Sequence, residues 1–274
     1  MTFELSAPER LGRIIVLGYC DIAAAGIRVL DGISGKPIDT NGDPAQLRET
    51  GRETLTFSGI GRAVFDGIPG LEAVHFEAAV APEGVKRNEP AVTLLKLNTI
   101  VGQDLMAFLS LSLVDLLAAH RPTLDRLVIV AAVQHPKRQQ MPAGAATIPP
   151  DVVSAFSCDG HRGGNSKSLS KPLPASLSKL PVLPPGARLA DSFLTTLVRL
   201  CRLEALPLTV LARLGYRTTG AAADVDGTDE AIIGLGQCLA SVIGLEFDSQ
   251  QACAARRSKG WKGAASSQLV PGYI

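Results

Sequence analysis

Apolar and polar residues change their spacing several times along the chain, and each change marks an element. RIIVLG, from Arg13 to Gly18, is a short β-branched run closed by glycine and reads as a buried strand. Thr54 to Phe57 and Ala73 to Val80 alternate as half-buried strands do. In the second of these, Val74, Phe76 and Ala78 share one face while His75 and Glu77 share the other. TLLKLN, Thr93 to Asn98, is a further strand. The period then becomes helical. Leu105, Phe108, Leu109, Leu113, Leu116 and Leu117 line one face of a helix from about Val101 to His120, with Ser112 inside the stripe and Asn98 and Thr99 as capping residues. RPTL stops that helix, and RLVIVAAV, Arg126 to Val133, reads as a strand buried on both faces.

From 136 to 186 the character shifts. Nine of the chain's 18 prolines fall here, with seven serines and five glycines. Such a stretch offers too little periodic apolar surface to fold alone and is expected to be a long loop or disordered insertion. Order returns with Leu189, Phe193, Leu194, Leu197, Leu200 and Cys201, a helical stripe ending near Ala205 ahead of Pro207. LTVLAR, Leu208 to Arg213, is a strand. A last long helix begins near the cap-competent Asp226 and Thr228, carries the stripe Ile232, Leu235, Leu239 and Val242, and is closed by Gly244. Beyond Asp248 there is no acid, and Arg256, Arg257, Lys259 and Lys262 lie in a stretch without sustained period. Residues 249–274 are therefore expected to be a flexible basic tail. Strands alternating with helices predict an α/β fold: a three-layer α/β/α sandwich with a central mixed sheet, in one domain over residues 1–248.

Hydrophobic residues make up 46% of the 274, enough for a substantial core. Twenty-seven Lys and Arg against 26 acids leave a net charge of +1, so no general field draws nucleic acid or an anionic membrane. The five cysteines are scattered and odd in number, which fits a reducing compartment and no disulfide framework. The apolar stretch from Thr93 to Ala119 is broken by Lys96, Gln103, Asp104 and Asp115, so it reads as a core helix and not a bilayer span. MTFELSAPER carries acids early and lacks an apolar core, unlike a signal peptide. The expected location is the cytosol, alone or shared with the nucleus.

Signatures of catalysis are sparse. GIGRAVFDG has glycines at 59 and 61 but Val64 where a dinucleotide loop needs a third. GISGKP places Gly-Lys before proline and lacks the magnesium-binding hydroxyl of a phosphate loop. Cys158 and His161 have zinc-like spacing, but a tetrahedral site needs a second pair and none of suitable spacing follows. His75 is either a base or a satisfied strand histidine. No cofactor is called for. An enzyme of the α/β class, a small-molecule hydrolase or phosphorylase, stays as the alternative, since catalytic groups can converge from distant positions. A generic scaffold using the proline-rich loop for recognition is a third reading.

LTTLVRLCRLEALPLTVLARLG, with CRL at Cys201 to Leu203, then proline and an apolar strand, resembles the proteasome assembly chaperone family. So does DVDGTDEAI leading into a helix that closes with LASVIGLEFD. The likeness is concentrated in Arg188 to Asp248. The ending LVPGYI is similar to that of family members finishing in a hydrophobic residue, tyrosine and any residue. By resemblance Tyr273 and Ile274 fill the last two places, and Gly272 stands where an apolar side chain is expected. The resemblance implies a non-catalytic chaperone with an α/β/α core. It implies pairing as a heterodimer with a paralogous, chaperone-2-like subunit, and binding to proteasome α subunits. Physically, an aromatic ring beside a carboxylate can plug a pocket on another protein, and a tether raises its effective concentration there.

Overall fold

The computed structural model describes residues 10–19, 21, 24–35, 47–55, 70–78, 90–98, 103–133, 152–158, 177, 179–183, 191–215 and 225–254. Their elements, in chain order, are β1 (Ile14–Tyr19), α1 (Ala25–Asp31), β2 (Ile33–Ser34), β3 (Leu47–Leu55), β4 (Leu71–Ala78), β5 (Val92–Leu97), α2 (Gln103–Ala119), β6 (Arg126–Val133), β7 (Ser154–Cys158), α3 (Ser192–Leu203), β8 (Leu208–Leu214), α4 (Val225–Ile243), β9 (Glu246–Phe247) and α5 (Ser249–Ala254).

Seven strands form one sheet in the order β3-β4-β5-β1-β6-β8-β7, and β2 pairs with β9 in a small ladder of its own. The four central strands β5, β1, β6 and β8 run parallel. β3 and β4 on one side and β7 on the other are antiparallel. The sheet is thus mixed, as the sequence predicts. Every residue of β6 is buried, because its odd positions pack on one face and its even positions on the other. Leu127, Ile129, Ala131 and Val133 meet α2 and α3; Val128, Val130 and Ala132 meet α1, α4 and α5. The three-layer α/β/α sandwich follows from that double-sided burial.

Among the described residues β3 is an edge strand of the sheet, and it is charged. Arg48, Glu49, Arg52 and Glu53 stand along it, the register shifts between Glu49 and Gly51, and Arg52 pairs with Glu49 at 2.6 Å. Charge and a bulge both discourage a second sheet from adding here.

Three expectations are corrected. The proline-rich stretch 136–186 is not wholly a disordered insertion: Ser154 to Cys158 form β7 against β8, and Val153, Leu177 and Leu183 are buried. Ala155 also exchanges backbone hydrogen bonds with the 181–183 segment, donating to the Pro181 carbonyl at 2.9 Å and accepting from Leu183 N at 2.8 Å. Pairing with a distant strand supplies what local periodicity lacks. The tail does not begin flexibly at 249 either, since residues 249–254 are α5. Asp248 Oδ1 caps it by accepting from Gln250 N and Gln251 N at 2.8 and 3.0 Å. Arg28 then pins it, donating to the carbonyls of Ala252 and Cys253 while its guanidinium pairs with Asp229 at 2.6 Å. Lastly, Phe108 does not lie on the buried stripe of α2. Leu109, Leu113, Leu116 and Leu117 are buried, whereas Phe108 is 47% exposed.

Other expectations hold. Phe193, Leu194, Leu197 and Cys201 are the buried face of α3, and Asp191, which the pattern does not single out, caps that helix by accepting from Leu194 N at 2.8 Å. Ile232, Leu235 and Leu239 face the core from α4. Gly244 ends that helix with φ of 72°, a left-handed conformation that glycine adopts without steric cost.

Candidate functional site

The residues expected to form the partner-binding tip, Gly272, Tyr273 and Ile274, lie outside the described residues. So do His161, the GIGRAVFDG segment, and Lys36 and Pro37 of GISGKP. Cys158 ends β7, half-buried. Among the described residues no group of three or more His, Cys, Asp or Glu side chains is placed to hold a metal ion. No described helix is long and apolar enough to cross a membrane.

His75 sits in β4, buried, with Thr93 opposite it in β5. Gly12 N donates to the Thr93 hydroxyl at 2.8 Å, and that hydroxyl lies 3.0 Å from His75 Nδ1. A hydroxyl already accepting from a backbone amide can give its own hydrogen to Nδ1, which leaves the neutral ring's hydrogen on Nε2. Nε2 is buried 3.6 Å from a Glu53 oxygen, beyond hydrogen-bond reach. The ring is held as a sheet residue rather than presented at a cleft.

Burial pushes the His75 pKa down, against the pull of Glu53 and Glu77 upward. The folded protein therefore binds its proton less readily than the unfolded chain does. Below about pH 6.5, the ordinary histidine value, the unfolded state takes up more protons and stability falls with falling pH. His120, whose pKa burial also lowers, adds to the same trend. We expect His75→Asn to flatten the slope of denaturant midpoint against pH below that value; an unchanged slope would show that His75 does not carry it.

In open α/β sheets, ligand sites form at the carboxyl ends of the parallel strands. Here that edge holds Tyr19, Asp21, Asn98 and Asp191. Tyr19 donates its hydroxyl to Asp191 Oδ2 at 2.6 Å and stacks its ring at a tilt on Phe193, with centroids 5.0 Å apart. The strand end is thereby fastened to the first turn of α3. Asp21 accepts from Gly26 N at 3.0 Å through Oδ1 and from Ala132 N at 2.5 Å through Oδ2, tying the first turn of α1 to β6. Burial raises the pKa of both groups, for Tyr19 with Asp191 adding to the effect and for Asp21 against those backbone hydrogen bonds. Both Asp21 oxygens and the Tyr19 hydroxyl are spent on the chain's own groups, which suits fastening rather than turnover. In the sequence the first apolar run closes at Gly18, and no local pattern marks this cluster. Its one available signal is the residue type of Asp191, a cap residue just before SFL.

The outer face of α2 and α3 is the other surface of note. Phe108 and Leu111 are 47% and 46% exposed on α2, and Leu203 is 79% exposed on α3. Asp115 on α2 and Arg199 and Arg202 on α3 are exposed around them. Thr196 Oγ1 donates to the Ser192 carbonyl at 2.8 Å and lies 3.8 Å from the Met106 sulfur, a contact that marks the level of one helix against the other.

No protein-family model matches the chain, and no curated protein matches it either. Solved structures do share its fold. The crystal structure of PbaB from Pyrococcus furiosus, an archaeal proteasome activator, is similar at a TM-score of 0.54 and 10% identity, over 92% of this chain and 93% of that one. The monoclinic form of PbaA from the same organism, an archaeal homolog of proteasome-assembly chaperone, gives 0.50 and 12%, over 93% and 87%. A Thermoplasma acidophilum protein of unknown function gives 0.51 and 8%, over 91% and 85%. At these identities the likeness is one of fold, and it spans the α/β/α sandwich from end to end.

Proposed function

We propose that this chain is a non-catalytic chaperone of proteasome assembly, in the manner of proteasome assembly chaperone 1. In this reading it works as a heterodimer with a paralogous, chaperone-2-like subunit and promotes assembly of the ring of proteasome α subunits. The observation that carries the proposal is the fold, shared over about nine-tenths of the chain with PbaA and PbaB, whose own descriptions are proteasomal. The internal engagement of Tyr19, Asp21 and Asp191 supports a binding role over catalysis. Docking on α subunits is assigned to Gly272, Tyr273 and Ile274, with Tyr273 as the anchor that fills a pocket.

Pull-down of proteasome α subunits from a cell extract tests both layers. The full chain should recover α subunits. Removing Gly272–Ile274, or Tyr273→Ala alone, should weaken recovery by about tenfold or more while leaving the fold intact, since losing an aromatic anchor costs about 2 kcal/mol. Equal recovery by the truncated chain would move docking to the folded body. Failure of the full chain to recover any α subunit would sink the proteasome reading itself.

A further inference from the structure

We infer that Arg213 anchors a binding site for one small oxyanion, a phosphate or a carboxylate, at the carboxyl end of the central sheet. Arg213 is the next-to-last residue of β8 and shares a face with Leu211, so its side chain runs toward α4. Its neighbour across the ladder is Ala132 of β6, the residue whose N–H donates to Asp21. This is the edge at which open α/β sheets hold their ligands. The guanidinium is half-buried there and, among the described residues, makes no hydrogen bond or ion pair.

Such a group is costly to leave alone, because it carries five donors and a charge that burial strips of water. The acids around it are engaged elsewhere. Asp229 is taken by Arg28 at 2.6 Å, and Asp21 accepts from two backbone amides. Glu230, one turn before Gly234 on α4, is exposed and forms no ion pair with Arg213. Other cations of the fold are matched: Lys96 with Asp31 at 3.0 Å and Arg52 with Glu49 at 2.6 Å. Gly234 shapes the place that Arg213 occupies. A Cβ there would overlap Arg213 Nη1, so the guanidinium lies against bare helix backbone. Glycine weakens a helix interior, and Gly234 stands in the middle of the 19-residue α4, where its missing side chain leaves room for the arginine. A planar fork with its donors open matches the paired oxygens of a phosphate or a carboxylate.

The site rests on Arg213 and Gly234 and not on the proteasomal reading, so either can fail without the other. Thermal unfolding of the full chain is followed in rising potassium phosphate, in rising potassium acetate, and in potassium chloride at matched ionic strength. Phosphate or acetate should raise the midpoint along a saturating curve, and chloride should not. The oxyanion that saturates at the lower concentration tells a phosphate site from a carboxylate site. Arg213→Gln should weaken binding by more than tenfold, and Arg213→Lys by about threefold, because lysine keeps the charge and loses the fork. Gly234→Ala should fold at least as well as the parent chain, since alanine suits a helix interior and the arginine tip can swing aside. It should nevertheless weaken binding by about tenfold, because the guanidinium is pushed from its place. Arg199→Gln, at an exposed arginine on the opposite face of the sheet, should change nothing. Oxyanion effects no larger than that of chloride overturn the inference, as does a saturating shift that survives Gly234→Ala and Arg213→Gln. A shift lost equally in Arg199→Gln would be general screening and overturns it too. If Arg213→Gln does not fold, Gly234→Ala alone decides.

Discussion

Deleting residues 140–184 should cost the protein its soluble fold. The sequence argues the opposite: a proline- and serine-rich stretch without periodicity ought to be removable, because lengthening or shortening a loop changes closure entropy only slowly. The structure puts β7 inside that stretch. Ser154 to Cys158 pair with Ala212 to Leu208, so the deletion strips the ladder from one edge of β8, a strand that is otherwise central. It also removes Val153, Ala155, Leu177 and Leu183 from the two cores. Each buried aliphatic side chain contributes roughly 1.5–3 kcal/mol, so their summed loss rivals the 5–15 kcal/mol by which a domain is stable at all. The exposed β8 edge, LTVLARL, would then be free to pair with other chains. Deleting only 161–174 keeps every one of these residues and should leave thermal unfolding nearly unchanged. The check is soluble yield and the unfolding transition of the two deletions side by side. A soluble, cooperative 140–184 deletion would show that β7 is dispensable.

The contrast between the two deletions also explains what the chain's pattern could and could not disclose. RLVIVAAV is legible as a strand because every position is apolar, and the α4 stripe is legible because Ile232, Leu235 and Leu239 recur at helical spacing. Both are local signals. SAFSC is five residues with serines at both face-defining positions, Ser154 buried and Ser157 exposed, and nothing nearby marks it. What makes it a strand is a ladder to residues fifty or more positions away. Helix α1 escapes notice for a different reason: seven residues are too few to show a period, and it is buried along most of its length. Phe108 follows Leu105 at helical spacing and so reads as part of the buried stripe, although it stands about 100° round the helix from the buried Leu109. That single step hides the apolar outer face of α2. The expected tip residues Gly272, Tyr273 and Ile274 rest on the ending of the sequence and lie outside the described residues.

Gly26→Ala should destabilise the protein by about 3 kcal/mol, at the upper end of what overpacking costs. Helix α1 lies directly against the sheet because two glycines meet where it crosses β1. A Cβ built on Gly26 would stand 2.6 Å from the Val130 carbonyl oxygen, and one on Gly18 would stand 2.5 Å from the Gly26 carbonyl oxygen. Both obstacles are backbone, so no side chain can swing aside and α1 itself must lift. Lifting it loosens the Asp21 bonds to Gly26 N and Ala132 N, the burial of Ile27, Val29 and Leu30, and the Arg28 grip on α5. Gly18→Ala should cost a similar amount by the same displacement. Because one displacement relieves both clashes, the double variant should lose clearly less than the sum of the singles. Gly51→Ala is the control: a Cβ there meets nothing within 4 Å, so its effect should be close to zero. Denaturant midpoints of the four variants decide the matter. Full additivity of Gly18→Ala and Gly26→Ala would mean that the two sites yield separately, and that α1 is not seated on the sheet as one rigid piece.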